Sequence, residues 1–444
     1  MNRLFGTDGV RGVANEFLTP ELAFALGRAG GFVLASHGAK RPVLVGRDTR
    51  LSGPMLEDAL CAGICSVGLD VWKLHIVPTP GVAFLTRRLE AAAGVMISAS
   101  HNPIADNGIK FFAADGCKLP DKLEDEIAAN VESHHVLPRP TGTGVGSIED
   151  KSRTVSLYAE HCVSLGGDLK GKTVVVDGAY GAAYDLAPRV LRKLGAEVVR
   201  LHCKDEGRKI NVKCGTTDLA RLKKAVAKSP GSVGVAFDGD ADRALFIDEE
   251  GEVVTGDHVL AIWAKELLDR EELPHCTIVA TVMSNLGLEL AMTKIGVKLI
   301  RAAVGDRYVL EAMQRGGFRI GGEQSGHIID LQANTTGDGI ATAVRLITLA
   351  ARAGSLSSLR RHMQTYPQIL VNVRVADKDC MTRDGVRRAI KVAEQTLKGR
   401  GRILVRPSGT EPLIRIMIEG QDETEMRRLA QSVVDRITAA QAPA

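Results

Sequence analysis

The chain has no Cys-x-x-Cys pair, no unbroken apolar run long enough to span a bilayer, and no basic stretch interleaved with aromatic residues. The first absence removes zinc knuckles and thioredoxin-type redox motifs. The eight cysteines, at 61, 65, 117, 162, 203, 214, 276 and 380, lie too scattered for a disulfide framework, and we read them as reduced thiols. The second absence removes membrane spans, and Met1 to Thr7 contains no apolar core of a signal peptide. The expectation is therefore a soluble, cytoplasmic protein with no membrane partner. The third absence, with Lys+Arg 57 against Asp+Glu 53 and a formal charge of +4, argues against nucleic acid as a partner. Arginines do gather locally, in Arg41 to Arg50 and in Arg402 to Arg415, a distribution suited to small anionic ligands.

With 444 residues the chain exceeds one compact core, and length alone suggests about three domains. Short β-branched runs ending in Gly, Asp or Ser recur, each followed by helix-period sequence. Examples are Pro42 to Asp48, Thr173 to Gly178, Val233 to Asp238 and Thr277 to Thr281. These read as βα units of an α/β protein, with helices such as Pro54 to Leu60 and Asp218 to Val226 between them. The turn-rich Pro138 to Ser147 places the end of a first domain near residue 150. A second break follows the turn Asp248 to Gly251. From about Gln368 the grammar changes to an alternating strand, a helix over Asp384 to Leu397, strands at Arg402 to Arg406 and Leu413 to Ile418, and a last helix. That pattern predicts a small antiparallel sheet with helices on one face. The expected domains are 1–150, 151–252, 253–367 and 368–444.

Four stretches carry chemistry. Gly94 to Ile97 is an apolar run that delivers Ser98, Ser100, His101, Asn102 and Pro103 to one point, so a hydroxyl stands at the end of a buried strand. An ordinary turn has the same composition, and residue types alone do not separate Ser98 from Ser100 as a nucleophile. In Asp238-Gly239-Asp240-Ala241-Asp242-Arg243 three carboxylates share one tight turn between apolar runs. They would repel by a few kcal/mol per pair at an effective dielectric of ~20, which calls for a cation. Oxygen ligands in that number favour Mg²⁺. An EF-hand fails because Arg243 replaces the required glycine and an apolar strand follows. A solvated acidic turn explains neither the missing basic residues nor the abutting strand.

Arg406 to Pro412 offers a guanidinium, hydroxyls and glycine-exposed backbone N–H groups, a nest for a phosphate, although a plain strand-to-strand turn has similar content. Gly321 to His327 gathers an acid, an amide, a hydroxyl and an imidazole among three glycines. It suits a sugar, or else is a hairpin with a solvent-facing histidine.

Taken in order, Gly6-Thr7-Asp8-Gly9-Val10-Arg11-Gly12, Ser98 to Pro103, Asp238 to Arg243, Gly322 to His327 and Arg406 to Pro412 resemble the loops of the α-D-phosphohexomutase superfamily over essentially the whole length. The Gly-Thr-Asp-Gly-Val-Arg-Gly opening and the Glu-Gln-Ser-Gly-His loop tilt the resemblance towards its glucosamine phosphate members. The resemblance implies three related mixed α/β domains around a central cleft and a C-terminal α+β domain similar to TATA-binding protein. It also implies interconversion of glucosamine 6-phosphate and glucosamine 1-phosphate, on the route to UDP-N-acetylglucosamine. The implied path runs through a phosphoserine and a bound glucosamine 1,6-bisphosphate, which, like another phosphoryl donor, would also activate the enzyme.

By the same resemblance Ser100 would be the phosphorylated residue, with His327, Lys110 and Arg11 as further catalytic groups. One Mg²⁺ would be held by Ser100, Asp238, Asp240 and Asp242. His101, Arg243, Glu323, Ser325, Arg406, Ser408, Gly409, Thr410 and Arg415 would bind sugar phosphate. A mutase for glucose or mannose phosphates, a Mg²⁺ phosphatase and a non-catalytic sugar-phosphate sensor are the alternatives, and a homodimer is among the assemblies allowed.

Overall fold

The computed structural model describes residues 4–6, 8–132, 137–408 and 412–441. Among these residues four sheets carry the architecture. The first holds β1 (Val10–Val13), β2 (Val43–Arg47), β3 (Val71–Ile76), β4 (Ala93–Ile97), β5 (Asp106–Ala113) and β6 (Ile148–Asp150), in the order β1-β5-β4-β2-β3-β6. Strands β4, β2, β3 and β6 run parallel, while β5 is antiparallel to both β4 and β1. β4 is buried along its whole length, as an unbroken apolar run covered on both faces requires.

One face presents Val43, Val45, Val95 and Ile97 to a core shared with Leu26, Leu56 and Leu60 of the helices Pro20–Ser36 and Gly53–Cys65. The other face carries glycines where side chains would obstruct. A Cβ on Gly94 would stand 2.3 Å from the Thr86 hydroxyl, and one on Gly46 would stand 2.9 Å from Val82. The helix Thr79–Arg88 can therefore lie close on the sheet, which brings its first residue to the metal-type turn described below.

The second sheet holds β7 (Thr173–Asp177), β8 (Glu197–Leu201), β9 (Val233–Phe237), β10 (Ala244–Ile247) and β11 (Val253–Val254), in the order β11-β10-β9-β7-β8. The third holds β12 (Thr277–Thr281), β13 (Lys298–Ala302), β14 (Ile320–Gly322) and β15 (Ile328–Asp330), in the order β13-β12-β14-β15. Each of these sheets, like the first, joins parallel strands to antiparallel neighbours, β10 beside β9 and β15 beside β14. The antiparallel connections Asp238 to Arg243 and Glu323 to His327 are two of the motif stretches.

The fourth sheet, β16 (Gln368–Arg374), β17 (Gly401–Pro407) and β18 (Leu413–Gly420), is wholly antiparallel, with β18 in the centre. Ile414, Ile416 and Ile418 share a core with Val386 and Leu397 of the helix Asp384–Leu397 and with Leu429 and Val433 of the helix Glu423–Ala439. The expected helix over Asp384 to Leu397 forms over those residues. The one expected over Asp218 to Val226 starts at Ala220, because Asp218 is extended and its carboxylate instead accepts from the Ala220 N–H at 3.0 Å.

The chain divides into two compact units, residues 1–283 with 298–362, and residues 284–297 with 363–444. All eight cysteines are free thiols. Among the described residues no helix is long and apolar enough to cross a membrane.

Candidate active site

The loop after β4 is fixed from beneath by two residues at the end of β2. Asp48 accepts from the Ser98 hydroxyl at 2.6 Å, from Arg50 Nε at 3.0 Å and from the Arg50 N–H at 2.8 Å. Arg50 is fully buried and gives its remaining N–H groups to the carbonyls of Ser100, Asn102, Pro103 and Asp106, at 2.6 to 3.0 Å. Asn211 adds a bond to the Ser100 carbonyl at 2.8 Å. Ser98 Oγ in turn accepts the Ser100 N–H at 2.9 Å, so Ser98 is committed to holding the loop. Ser100 sits at φ 50°, a left-handed conformation that costs a non-glycine residue. Its hydroxyl donates to Asp238 Oδ2 at 2.5 Å.

Asp238 opens the connection between β9 and β10, whose register pairs Phe237 with Ala244. The turn is held on several sides. Thr79 donates its N–H to the Asp240 carbonyl at 2.9 Å and its hydroxyl to Asp240 Oδ2 at 2.5 Å. Gly339 N–H reaches the Ala241 carbonyl at 3.1 Å, and Ala182 N–H reaches that of Gly239 at 2.8 Å. Asp238, Asp240 and Asp242 are all buried, with ligand atoms within 4.8 Å of one another. A solvated turn is thereby excluded. Burial, then the neighbouring aspartates, pushes the Asp238 carboxyl far above its usual range, and burial with Asp242 raises Asp240. One buried oxygen each of Asp240 and Asp242 has no hydrogen-bond partner among the described residues. An all-oxygen donor set with orphaned lone pairs and excess negative charge fits a hard divalent cation.

Cationic side chains border the turn. Arg243 lies 3.9 Å from Asp242 and 4.0 Å from Glu323, and contacts His101 Nδ1 at 3.1 Å. Burial would lower the Arg243 pKa, but Asp242 and Asp238 outweigh it and raise it. Burial, then Arg243 and Arg11, brings the His101 pKa down to about 4, so its ring is neutral and accepts from Arg243. Arg11 and Lys110 both ion-pair with Asp8. Burial opposes the charge on Asp8 and on Lys110, yet their mutual attraction wins, holding the acid below its ordinary range and the lysine above.

The Glu323–His327 connection reaches the same place through a backbone bridge between Arg243 and His327. His327 is 2% exposed, against the solvent-facing alternative, and its Nε2 lies 3.9 Å from Asp242. Among the described residues neither ring nitrogen has a hydrogen-bond partner. Ser325 donates to Glu323 Oε2 at 3.1 Å, and the Gly305 N–H donates to Oε1 at 3.2 Å. Lys110 and His327 also line a cleft, together with Lys118, Asp306 and Arg307.

Patterns of the family described as phosphoglucomutase/phosphomannomutase match in four consecutive parts. Its α/β/α domains I, II and III match residues 2–136, 157–251 and 255–366, and its C-terminal domain matches 370–436. The chain belongs to this family. Curated members similar to it are both named phosphoglucosamine mutase. The protein of Symbiobacterium thermophilum is 53% identical over 442 residues, covering 98% of this chain and 99% of that one. The protein of Heliobacterium modesticaldum is 50% identical over 454 residues, covering 98% and 99%. A crystal structure of a phosphoglucomutase/phosphomannomutase family protein from Burkholderia thailandensis superposes with a TM-score of 0.86 at 25% identity, covering 100% of this chain and 99% of that one.

In this family member the structure gathers Ser100, His101, the three aspartates, Arg243, Glu323, Ser325, His327, Lys110 and Arg11 within the first compact unit. Arg406, Ser408 and Arg415 belong to the second unit, and Gly409 and Thr410 lie outside the described residues. Arg406 and Arg415 are direct cross-strand partners, and burial together with Arg415 lowers the Arg406 pKa. Lys378 donates to the Ser408 carbonyl at 2.6 Å.

The arginines of 41–50 do not form a ligand loop. Arg41 pairs with Glu90, Arg47 with Glu57, and Arg50 is internal scaffolding. Sequence reasoning also passed over Asp8, Asp48, Thr79 and Asn211. The Thr-Pro helix start at 79–80 and the Gly-rich context of Asp8 were visible, but nothing local pointed to their partners.

Proposed function

We propose that this chain interconverts glucosamine 6-phosphate and glucosamine 1-phosphate, with Ser100 carrying the phosphoryl group between the two sugar oxygens. The observation that carries the proposal is the Ser100 hydroxyl, 2.5 Å from Asp238, one of three clustered buried carboxylates. The sugar is proposed from the relatives named phosphoglucosamine mutase. We take 1–150, 151–252, 253–367 and 368–444 as the four domains.

In the proposed cycle a donor such as glucosamine 1,6-bisphosphate first phosphorylates Ser100. The bond from Ser100 Oγ to phosphorus then breaks as the free sugar hydroxyl bonds to the same phosphorus. His327, whose ring nitrogens have no partner among the described residues, takes the hydroxyl proton, while Ser100 Oγ departs with a proton drawn from solvent, which it gives back when it attacks the second phosphate. The bisphosphate turns round and its other phosphate passes to Ser100, the sugar oxygen it leaves recovering the proton from His327. Lys110, held protonated by Asp8, steadies charge and does not act as the base. Arg11 and Arg243 add to that positive field. Asp238, Asp240 and Asp242 would hold Mg²⁺, which supplies Lewis-acid stabilisation of the phosphoryl charge when bound. Glu323 and Ser325 read the sugar hydroxyls. Arg406, Ser408, Gly409, Thr410 and Arg415 form a phosphate grip.

Intact-mass analysis before and after addition of glucosamine 1,6-bisphosphate with Mg²⁺ tests the reading. One added phosphate should map to Ser100, and glucosamine 1-phosphate should form from the 6-phosphate. A phosphate on Ser98, or release of inorganic phosphate without isomer, would refute it. A higher specificity constant for glucose or mannose phosphate would move the assignment elsewhere in the family.

A further inference from the structure

A second convergence of metal-type ligands lies behind the Ser100 loop. Asp177 ends β7, His202 follows β8, and Cys214 precedes the short helical turn Gly215–Thr217. Their donor atoms lie within 4.8 Å of one another, although the residues come from three separate segments. The Asp177 and Cys214 side chains are fully buried, and that of His202 is 8% exposed.

Ordinary hydrogen bonding leaves this cluster incomplete. Backbone N–H groups of Ala179 and Gly215 fix the two oxygens of Asp177, at 2.9 and 3.1 Å. His202 Nδ1 comes within 3.0 Å of Asp177 Oδ1, yet among the described residues it has no hydrogen-bond partner, so the approach is close but misaligned. The Cys214 sulfur makes a long contact with the Lys209 carbonyl, at 4.0 Å, and lies near the Asn211 backbone. Arg221, on the exposed side, lies 3.2 Å from His202 Nε2.

We propose that Asp177, His202 and Cys214 form a second divalent-metal site of the zinc class, separate from the three-aspartate turn. A carboxylate, an imidazole and a thiolate are the donors Zn²⁺ takes with bonds of about 2.0 to 2.3 Å, leaving a fourth position for water. Mg²⁺ is excluded by the sulfur. As it stands Cys214 is an inert thiol, since burial and then Asp177 push it up to about 12. A bound cation would draw that proton off.

The role assigned is positional. Cys214 lies three residues beyond Asn211, which holds the Ser100 carbonyl at 2.8 Å. Ala179, Tyr180, His202, Asn211 and Lys213, on the ligand-bearing loops, hold φ values of 52°, 53°, 50°, 59° and 53°. A metal tie is one means of keeping such loops in place.

Cobalt titration of the full chain tests the site without reference to activity. One equivalent of Co²⁺ should produce thiolate-to-metal charge-transfer absorption in the near ultraviolet, release one proton, and be displaced by Zn²⁺. The absorption should be lost in Cys214→Ser and in His202→Gln. It should persist in Asp240→Asn, where the aspartate turn is impaired, and in Cys276→Ser, where an exposed thiol is removed. No absorption in the unmodified chain, or absorption that survives either ligand substitution, or loss in Cys276→Ser, would overturn the proposal.

Discussion

Asp48 and the Asp238–Asp240–Asp242 turn are both buried carboxylate sites at the ends of core strands, yet they have opposite characters. Asp48 has Arg50, the Ser98 hydroxyl and a backbone N–H around it, and Arg50 spends its other donors on loop carbonyls. Each buried polar group there has an answer within the chain. The aspartate turn keeps two buried oxygens unanswered among the described residues, and three like charges together. Burial and charge are shared by both, so neither marks function. Incomplete compensation does.

The largest expected effect lies where the two sites meet. Ser100→Ala should reduce mutase turnover to background while sugar phosphate binding stays measurable by calorimetry. Ser98→Ala, which loosens only the support, should leave turnover measurable but lowered on the order of 10- to 100-fold. Equal losses in the two variants would erase the distinction between hydroxyl and support.

Next in size is stability. Arg50→Met should destabilise the fold by about 3 to 5 kcal/mol, read from urea unfolding, because it strands Asp48 in the interior. Asp240→Asn should instead leave the metal-free protein as stable or more so, while weakening Mg²⁺ binding in calorimetry. Destabilisation by both would mean that the turn, too, is internally compensated.

The same contrast has a pH signature. Folding raises the Asp238 and Asp240 pKa values, so the folded state binds more protons than the unfolded one. Their contribution is fully present below the unfolded carboxyl value of about 4 and is lost as pH rises through the folded values. Metal-free stability should therefore decline with rising pH on the acid side of neutrality, and Asp240→Asn should flatten the decline. Mg²⁺ affinity should move the other way, weaker at low pH, where protons compete.

The smallest effect concerns Asp70, whose carboxylate accepts the Ser147 N–H and hydroxyl at 2.7 and 2.8 Å and is held below its usual range by those bonds. Its contribution is present above the unfolded value and fades as pH falls, so Asp70→Asn should slightly reduce stability at neutral pH and much less in acid.

The strands and motif loops were legible because apolar runs such as Val233 to Phe237 stop abruptly at aspartates, and because Ser98 to Pro103 and Glu323 to His327 place unlike polar groups beside glycine or proline. The supports were illegible. Thr79 meets Asp240 across 161 positions and Asn211 meets Ser100 across 111, distances over which no local pattern survives. Arg50 misled for a related reason. A guanidinium in a loop looks the same on paper whether it awaits a ligand or caps four carbonyls. The burial of His327 was equally hidden, since a glycine-rich hairpin gives no sign of what covers it.

The left-handed backbone of Ser100 means that the hydroxyl is displayed from a posture glycine would hold with greater ease. Tolerance of that posture, about 1 to 3 kcal/mol, has to be drawn from the surrounding bonds. An inert Ser100→Gly chain should accordingly outlast the working one on heating. Durability and turnover pull in opposite directions at this single residue.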